Sequence, residues 1–334
     1  MLGVHVRILL VCLDNLGDLV FSSSLVDPLV AKYPHAEWVI FCKDYAADIA
    51  RCFPVKAKVI AADPWWDGSP GRGKGRIWPF LKSIGLLRKF RPDVAIVTSS
   101  NWRASAAAWA TGAQKIIGFD RKKSRFFLTD IVPVAAWSKT PVTKQLRQLL
   151  SPLQTTTKLD DIPPCRLVVP TGPMANDAEL PQGQYVIFHP FAGDLRRCWP
   201  LSHWQEVAAL ARANQLQIIW MGQAHEVQRI KQEVPDSNDD LFMEDFSKGQ
   251  LLRVLDITSR ARCLVGHDSG PIHFASALGI PVLGLYLPGE YPRTVTAVLQ
   301  GSKVIFKAKP DELRLRDVLD AFNQVVKARA ELFE

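Results

Sequence analysis

The feature that most limits how this chain can fold is an alternation of short apolar runs rich in β-branched residues with longer amphipathic stretches, and it occurs twice. Residues 5–13 (HVRILLVCL), 37–42 (EWVIFC), 58–63 (KVIAAD), 93–99 (DVAIVTS) and 115–120 (KIIGFD) read as strands buried on both faces. Helical stretches separate most of them, starting with Asp18 to Tyr33. That is the pattern of βαβ units on a parallel sheet. The rhythm lapses from Thr155 to Gln184, where proline, threonine, aspartate and glycine accumulate, and then restarts. Strands follow at 184–190, 215–222, 261–268 and 280–288, with helices at Leu201 to Asn214 and Ala224 to Val234 and a closing helix from Asp311 to Leu332. The spacing predicts an α/β chain of two Rossmann-like domains, residues 1–160 and 184–334, joined by a linker region at 161–183. Their parallel sheets are expected to face a central cleft. Ligands of open α/β sheets sit at the carboxyl ends of the strands, so the chemistry is expected on strand-to-helix loops.

Over 334 residues, 48% hydrophobic against 22% charged leaves enough apolar surface for a substantial core, which excludes wholesale disorder and rod-like folds. The surplus of 41 basic over 33 acidic residues, +8, favours phosphates, nucleotides or an anionic membrane surface as partners. Basic residues are dispersed and no recognition motif stands out, so nucleic acid is not an expected partner. The six cysteines form no CxxC pair and several lie in apolar runs, as reduced structural thiols of a cytoplasmic protein do. The apolar run from Val6 to Leu13 falls short of the ~20 residues a spanning helix needs, and no signal peptide is expected. Ten tryptophans and the basic surplus leave room for peripheral contact at the cytoplasmic face of the inner membrane. One segment breaks the α/β rhythm: residues 63–80, DPWWDGSPGRGKGRIWPF, read as a long loop. It is either a clamp for an anionic sugar or lipid head group or a surface loop pinned by its tryptophans.

Four loops carry the residues of interest. After the first strand comes Asp14-Asn15-Leu16-Gly17-Asp18, where Gly17 permits a tight turn and Asp18 stands at a helix start, pre-oriented by capping. After the first strand of the second half, HPFAGDLRRCWP (189–200) places Ala192 and Gly193 before paired arginines, a plausible diphosphate cradle. In the third loop, Glu226 follows the strand ending at Met221; it can accept from ribose hydroxyls or simply favour the helix dipole. The fourth, Gly266 to Ala275 (GHDSGPIHFA), sets Ser269, Gly270 and Pro271 at a helix start suited to phosphate, flanked by Asp268 and His273. GxGxxG, the Walker lysine motif, HExxH, zinc spacing and GxSxG are all missing, so no metal or cofactor is expected.

In order, DNLGD, HPFAGDLRRCWPLSHW, WMGQAHE and VGHDSGPIHFASALGIPVLGLYLP resemble the ADP-heptose:lipopolysaccharide heptosyltransferases of glycosyltransferase family 9 along essentially the whole chain. The resemblance implies a GT-B fold with the donor held mainly by the C-terminal domain, and inverting transfer of a heptose from ADP-heptose to an acceptor in the lipopolysaccharide inner core, Kdo or heptose. It also implies roles. Asp18 is the catalytic base and Arg197 contacts the donor phosphates, where the family often has lysine. Glu226 binds the ribose, and Asp268, Ser269, Gly270 and His273 surround the pyrophosphate. IGFDRKKSRFF (117–127) is similar to an acceptor-side segment of the family and makes Arg121 and Arg125 the implied contacts to acceptor phosphate or carboxylate, although RFF stands where the family continues REP. A nucleotide-sugar epimerase, or a silent sugar-nucleotide-binding protein, remains the alternative on the same frame.

Overall fold

The computed structural model describes residues 5–69, 73–99, 101–134, 140–155, 165–170, 180–181, 183–234, 237, 239–244, 250–287 and 301–330. The chain divides into two compact units, Met1–Pro170 and Thr171–Glu334. Most of the expected linker at 161–183 lies outside the described residues.

Unit 1 runs β1 (Arg7–Cys12), α1 (Leu16–Ser22), α2 (Val26–Lys32), β2 (Glu37–Cys42), α3 (Ala47–Arg51), β3 (Ala57–Ala61), a small ribbon of β4 (Gly68–Ser69) with β5 (Gly73–Lys74), α4 (Ile77–Phe90), β6 (Val94–Val97), α5 (Trp102–Ala110), β7 (Lys115–Phe119), β8 (Asp130–Val132) and α6 (Val142–Gln148). Its sheet is wholly parallel in the order β3-β2-β1-β6-β7-β8. Ile8 to Val11 are completely buried, as a central strand covered on both faces requires. Leu9, Val39, Ala95 and Ile116 share a core with Phe80, Ile84 and Leu87 of α4 and with Ala104 and Ala108 of α5, so both helices cover the same face of the sheet.

Unit 2 repeats the plan: β9 (Tyr185–His189), α7 (Leu201–Ala213), β10 (Gln217–Met221), α8 (Ala224–Glu233), β11 (Leu241–Met243), α9 (Leu251–Arg260), β12 (Leu264–His267), α10 (Gly270–Ala277), β13 (Val282–Tyr286), β14 (Lys303–Phe306) and α11 (Leu315–Ala330). Its sheet is parallel in the order β11-β10-β9-β12-β13-β14. Phe188 sits at its centre in edge-to-face contact with Trp204 and Trp220. Such pairs contribute about 0.5–1.5 kcal/mol beyond the area they bury. Each sheet thus has the doubly wound order in which the winding reverses beside the first strand, between β1 and β6 in unit 1 and between β9 and β12 in unit 2. At such a reversal the loops after the two strands diverge to opposite faces and leave a crevice. The crevices fall at the loops after Cys12 and Val97, and after His189 and His267.

Three expectations need correction. The helix expected from Asp18 to Tyr33 begins at Leu16 and is interrupted at Ser23–Leu25 by a 3-10 turn. Ser22, Ser23 and Ser24 each donate a hydroxyl hydrogen bond to a carbonyl three or four residues back, and Pro28 removes the amide that would close the next turn. The stretch 63–80 is not all loop: it holds the β4–β5 ribbon, and α4 begins at Ile77. The last helix starts at Leu315 instead of Asp311, because Leu313 adopts an extended backbone (φ −82°, ψ 99°) and offers its carbonyl to the Trp199 indole at 3.1 Å. Among the described residues no helix is long and apolar enough to cross a membrane. All six cysteines are free thiols.

Candidate active site

In unit 1 the loop after β1 is tied down before its functional residues begin. The Leu13 amide donates to Ser99 Oγ at 2.6 Å, which joins the two loops that flank the winding reversal. Asn15 then turns the chain into α1 with an extended backbone (φ −81°, ψ 174°), and its amide donates to Asp18 Oδ2 at 3.0 Å. Gly17 and Asp18 are the second and third residues of the helix, so the half-buried Asp18 carboxylate bends back to the mouth of α1, where the free amides favour negative charge. A further amide at that mouth, Leu16 N–H, donates to the Tyr45 hydroxyl at 3.0 Å. Burial, with the charges of Asp14 and Asp18 adding to it, pushes the Cys12 thiol up to about 12, and burial also raises the Tyr45 phenol. Neither loses its proton near neutral pH, which leaves the carboxylates of Asp14 and Asp18 as the loop's candidates to accept one.

In unit 2 the turn after β9 is built around Asp194. Its side chain accepts from the Arg196 amide at 3.0 Å and from the Arg196 guanidinium at 2.7 and 3.0 Å, and that contact holds the carboxyl at about 2. The Ala192 amide donates to Cys198 Sγ at 3.2 Å, folding Gly193 into the bend. A side chain at Gly193 would meet no protein atom within 4 Å, so the bend presents bare backbone. Of the paired arginines, Arg196 is engaged by Asp194, whereas Arg197 reaches the loop after β12: its Nη1 lies 4.0 Å from Asp268 Oδ2. Asp268 Oδ1 lies 3.2 Å from Nε2 of the buried His273 on α10. Arg197, Asp268 and His273 therefore form one chain across the mouth of the crevice. Beside it Ser269 begins α10, its hydroxyl donating to the His267 carbonyl at 3.2 Å, with Gly270 and Pro271 in the first turn. Proline lacks an N–H and fits a first turn, while the neighbouring amides there have no helical acceptor. Net positive character thus converges from the helix end and from Arg197.

Glu226 occupies the third position of α8, and its Oε2 accepts from the Gln223 amide at 2.7 Å. Gly222 lies under it: an added Cβ would stand 3.1 Å from Glu226 Cβ and 3.2 Å from Oε2. Gly222→Ala is therefore expected to push the carboxylate aside and disturb the start of α8 without unfolding the chain, so a melting curve should show a transition close to that of wild type. Met221, the last residue of β10, accepts at its carbonyl from His189 Nδ1 at 2.9 Å, which links this loop to the end of β9.

The residues that hold this arrangement together had no role in the sequence reading. The Trp199 amide donates to His267 Nε2 at 3.0 Å, and His267 Nδ1 donates to the Leu285 carbonyl at 3.0 Å, a pattern that fixes a neutral imidazole. Together with the Trp199 indole bond to Leu313, it fastens the arginine turn to β12. Their one signal in the sequence was a histidine closing a buried strand directly before Asp268 and a tryptophan directly before Pro200. Burial lowers His267 to about 4 and lowers His189 as well. The unfolded chain takes up these protons near pH 6.5 and the folded one does not, so stability must fall as pH drops from 6.5 towards 4. His267 accounts for roughly 3 kcal/mol of that loss. Urea unfolding at pH 7 and pH 4.5 should show the decline, and His267→Asn, whose carboxamide does not titrate, should flatten it.

Arg121 and Arg125 lie in the loop after β7, a turn held by Ser124 Oγ, which accepts from the Arg121 amide at 2.8 Å and donates to the Phe119 carbonyl at 2.7 Å. Arg125 lies exposed and is engaged by Asp120, at 2.7 and 3.3 Å. Elsewhere in unit 1, the 63–80 segment lines a cavity of about 320 Å3 at the carboxyl ends of β2 and β3, between Asp44, Asp63, Lys74 and Arg76. Among the described residues no group of three or more His, Cys, Asp or Glu side chains is placed to hold a metal ion.

Comparison with known proteins agrees with this architecture. The chain is 25% identical over 304 residues to lipopolysaccharide heptosyltransferase 1 of Pseudomonas aeruginosa, covering 84% of this chain and 79% of that one. Its fold is shared with a family 9 glycosyl transferase from Veillonella parvula (TM-score 0.81, 15% identity, 98% of this chain and 99% of the other). It is shared also with ADP-heptose lps heptosyltransferase II of E. coli (TM-score 0.78, 20% identity, 96% and 98%). A profile described as glycosyltransferase family 9 (heptosyltransferase) matches residues 81–316, more than two thirds of the chain. With two doubly wound parallel sheets in the GT-B manner and that match reaching into both of them, the chain belongs to glycosyltransferase family 9, the heptosyltransferases, and is a glycosyltransferase.

Proposed function

We propose that this chain moves a heptose from ADP-heptose to the inner core of lipopolysaccharide, onto Kdo or a heptose, with inversion at the anomeric carbon. The observation that carries the reading is the chain Arg197, Asp268, His273 beside the start of α10, where a guanidinium and helix amides without helical acceptors converge. The name of the Pseudomonas relative supports lipopolysaccharide as the acceptor class.

In the proposed reaction an acceptor hydroxyl oxygen attacks the anomeric carbon from the side opposite the departing ADP. Asp18 takes the hydroxyl proton as the new C–O bond forms, and the electrons of the broken bond leave with the diphosphate. Negative charge grows on that diphosphate, where Arg197 and the amides at Gly270 and Ile272 stabilise it; because they are held in place beforehand, little reorganisation accompanies the step. Asp268 orients Arg197 and His273 instead of touching the phosphates with its own charge. Glu226 accepts from the ribose hydroxyls, and the backbone at Ala192, Gly193 and Met221 lines the nucleotide. Arg125 exchanges Asp120 for an anionic group of the acceptor, with Arg121 beside it. The site of action is the cytoplasm.

Mass spectrometry of products formed from ADP-heptose with Kdo-lipid A and with its heptosylated form tests the proposal. The expected result is one added heptose on one of these acceptors. A changed sugar nucleotide in the absence of any acceptor would instead identify an epimerase, and no product with either acceptor would contradict the transfer.

A further inference from the structure

We propose that the outward face of α4, continued by α5, docks unit 1 onto an anionic lipid bilayer. The sheet-facing side of α4 is Phe80, Ser83, Ile84 and Leu87, a complete i, i+3, i+4, i+7 stripe. A helix of a globular domain with such a stripe is expected to be polar on its other side. Here Trp78 is 80% exposed, and Ile77 and Leu81 lie beside it in solvent. Trp109 on the neighbouring α5 is 60% exposed.

The exposure of Trp78 is not that of a frayed end. Trp65 and Trp66 pack edge-on against Phe80, with ring centroids 5.3 and 5.0 Å away, and so fasten the first turn of α4. Gly75, two residues before the helix, donates to the Pro64 carbonyl at 3.1 Å and lies so close to Asp63 that an added Cβ would overlap the Asp63 carbonyl oxygen. Two of the three tryptophans in the segment thus build the support, and the third is held outward on a rigid helix. An indole so placed gains little from folding, and together with Ile77, Leu81 and Leu86 it makes a contiguous exposed apolar group of the kind that marks a contact surface.

Charge identifies the partner. Residues 73–92 contain Lys74, Arg76, Lys82, Arg88, Lys89 and Arg91 and no Asp or Glu; α5 adds Arg103 and likewise has no acidic residue. Lys82, Arg88 and Lys89 are exposed on α4. Apolar side chains with an aromatic at the centre, framed by unopposed cations on a helix lying flat against its own domain, match the interface of an anionic bilayer: the rings enter the head-group layer and the cations stay at the phosphates.

The test uses the full chain and vesicles of phosphatidylcholine alone or with phosphatidylglycerol, at physiological salt. Wild type should sediment with the anionic vesicles and not with the neutral ones. Each cation near such a surface is worth about a fivefold factor in partitioning, so Lys82→Glu/Arg88→Glu/Lys89→Glu should weaken binding by about 100-fold or more. Trp78→Ser/Leu81→Ser should weaken it about tenfold or more through the lost apolar insertion. Both variants alter exposed positions and should keep the wild-type melting temperature and affinity for ADP. Wild-type binding by either variant, or no binding of wild type to anionic vesicles, overturns the proposal. So does a dimer of wild type that Trp78→Ser converts to monomer, which would make the face a contact between two copies. None of these readouts requires turnover, so they stand or fall independently of the transferase reaction.

Discussion

Asp18→Asn is expected to lower the rate of heptose transfer by about 10²–10⁴-fold, the range a positioned general base contributes. The substitution is chosen for what it preserves. An asparagine oxygen can still accept from the Asn15 amide, so the start of α1 and the loop after β1 keep their shape. Asp18→Ala, which removes that contact as well, should cost about 1 kcal/mol of stability in addition. Comparing the two separates the proton from the cap: both should lose transfer, and only the alanine variant should melt earlier. Affinity for ADP should be untouched in either, since the seat proposed for the nucleotide lies in unit 2. Transfer by Asp18→Asn within a few-fold of wild type, at saturating donor and acceptor, would remove the proton-accepting role and leave Asp18 as a helix cap.

The second large effect is expected at Arg197. Arg197→Ala should reduce turnover by about 100-fold or more, because a preorganised charge aimed at the leaving group acts most strongly when the diphosphate has gained its full charge. Arg197→Lys should recover much of this loss but not all: the charge returns, while the fork that can hold two phosphate oxygens does not. Arg196→Ala provides the contrast. Its guanidinium is 88% exposed and engaged by Asp194, so its loss should act only by loosening the turn. Equal defects at 196 and 197 would mean that the two arginines serve as a diffuse basic patch.

How far the sequence could anticipate these features follows from the range of the interactions involved. Central strands such as β1, β2, β9 and β10 announce themselves because burial on both faces demands uninterrupted apolar residues. The edge strands β8, β11 and β14 were not foreseen: three or four residues long and half in solvent, they carry no such run. The break after α1 was written in Ser22, Ser23, Ser24 and Pro28, but hydroxyls that bond back to the helix look like ordinary helical serines until their acceptors are known. Within the site, positions could be read and partnerships could not. Arg196 and Arg197 are adjacent and of one type; the resemblance pointed to Arg197, but the contacts that divide them, Arg196 to Asp194 and Arg197 to Asp268, 71 positions further on, exist only in the fold. Trp199 and His267 meet across a sequence separation of 68, so neither showed that it holds the turn in place. The 63–80 segment gave the same difficulty in reverse: its composition allowed either a clamp for an anionic sugar or lipid head group or a surface loop pinned by tryptophans, and only the contacts show that Trp65 and Trp66 do the pinning while Trp78 faces out.

The most direct measurement is a calorimetric titration of wild type and Arg197→Ala with ADP and, in parallel, with adenosine. If Arg197 and the start of α10 grip the diphosphate, the variant should bind ADP at least tenfold more weakly and adenosine as wild type does. Unchanged affinity for ADP, or an equal loss for both ligands, would contradict that grip and with it the proposed placement of the donor.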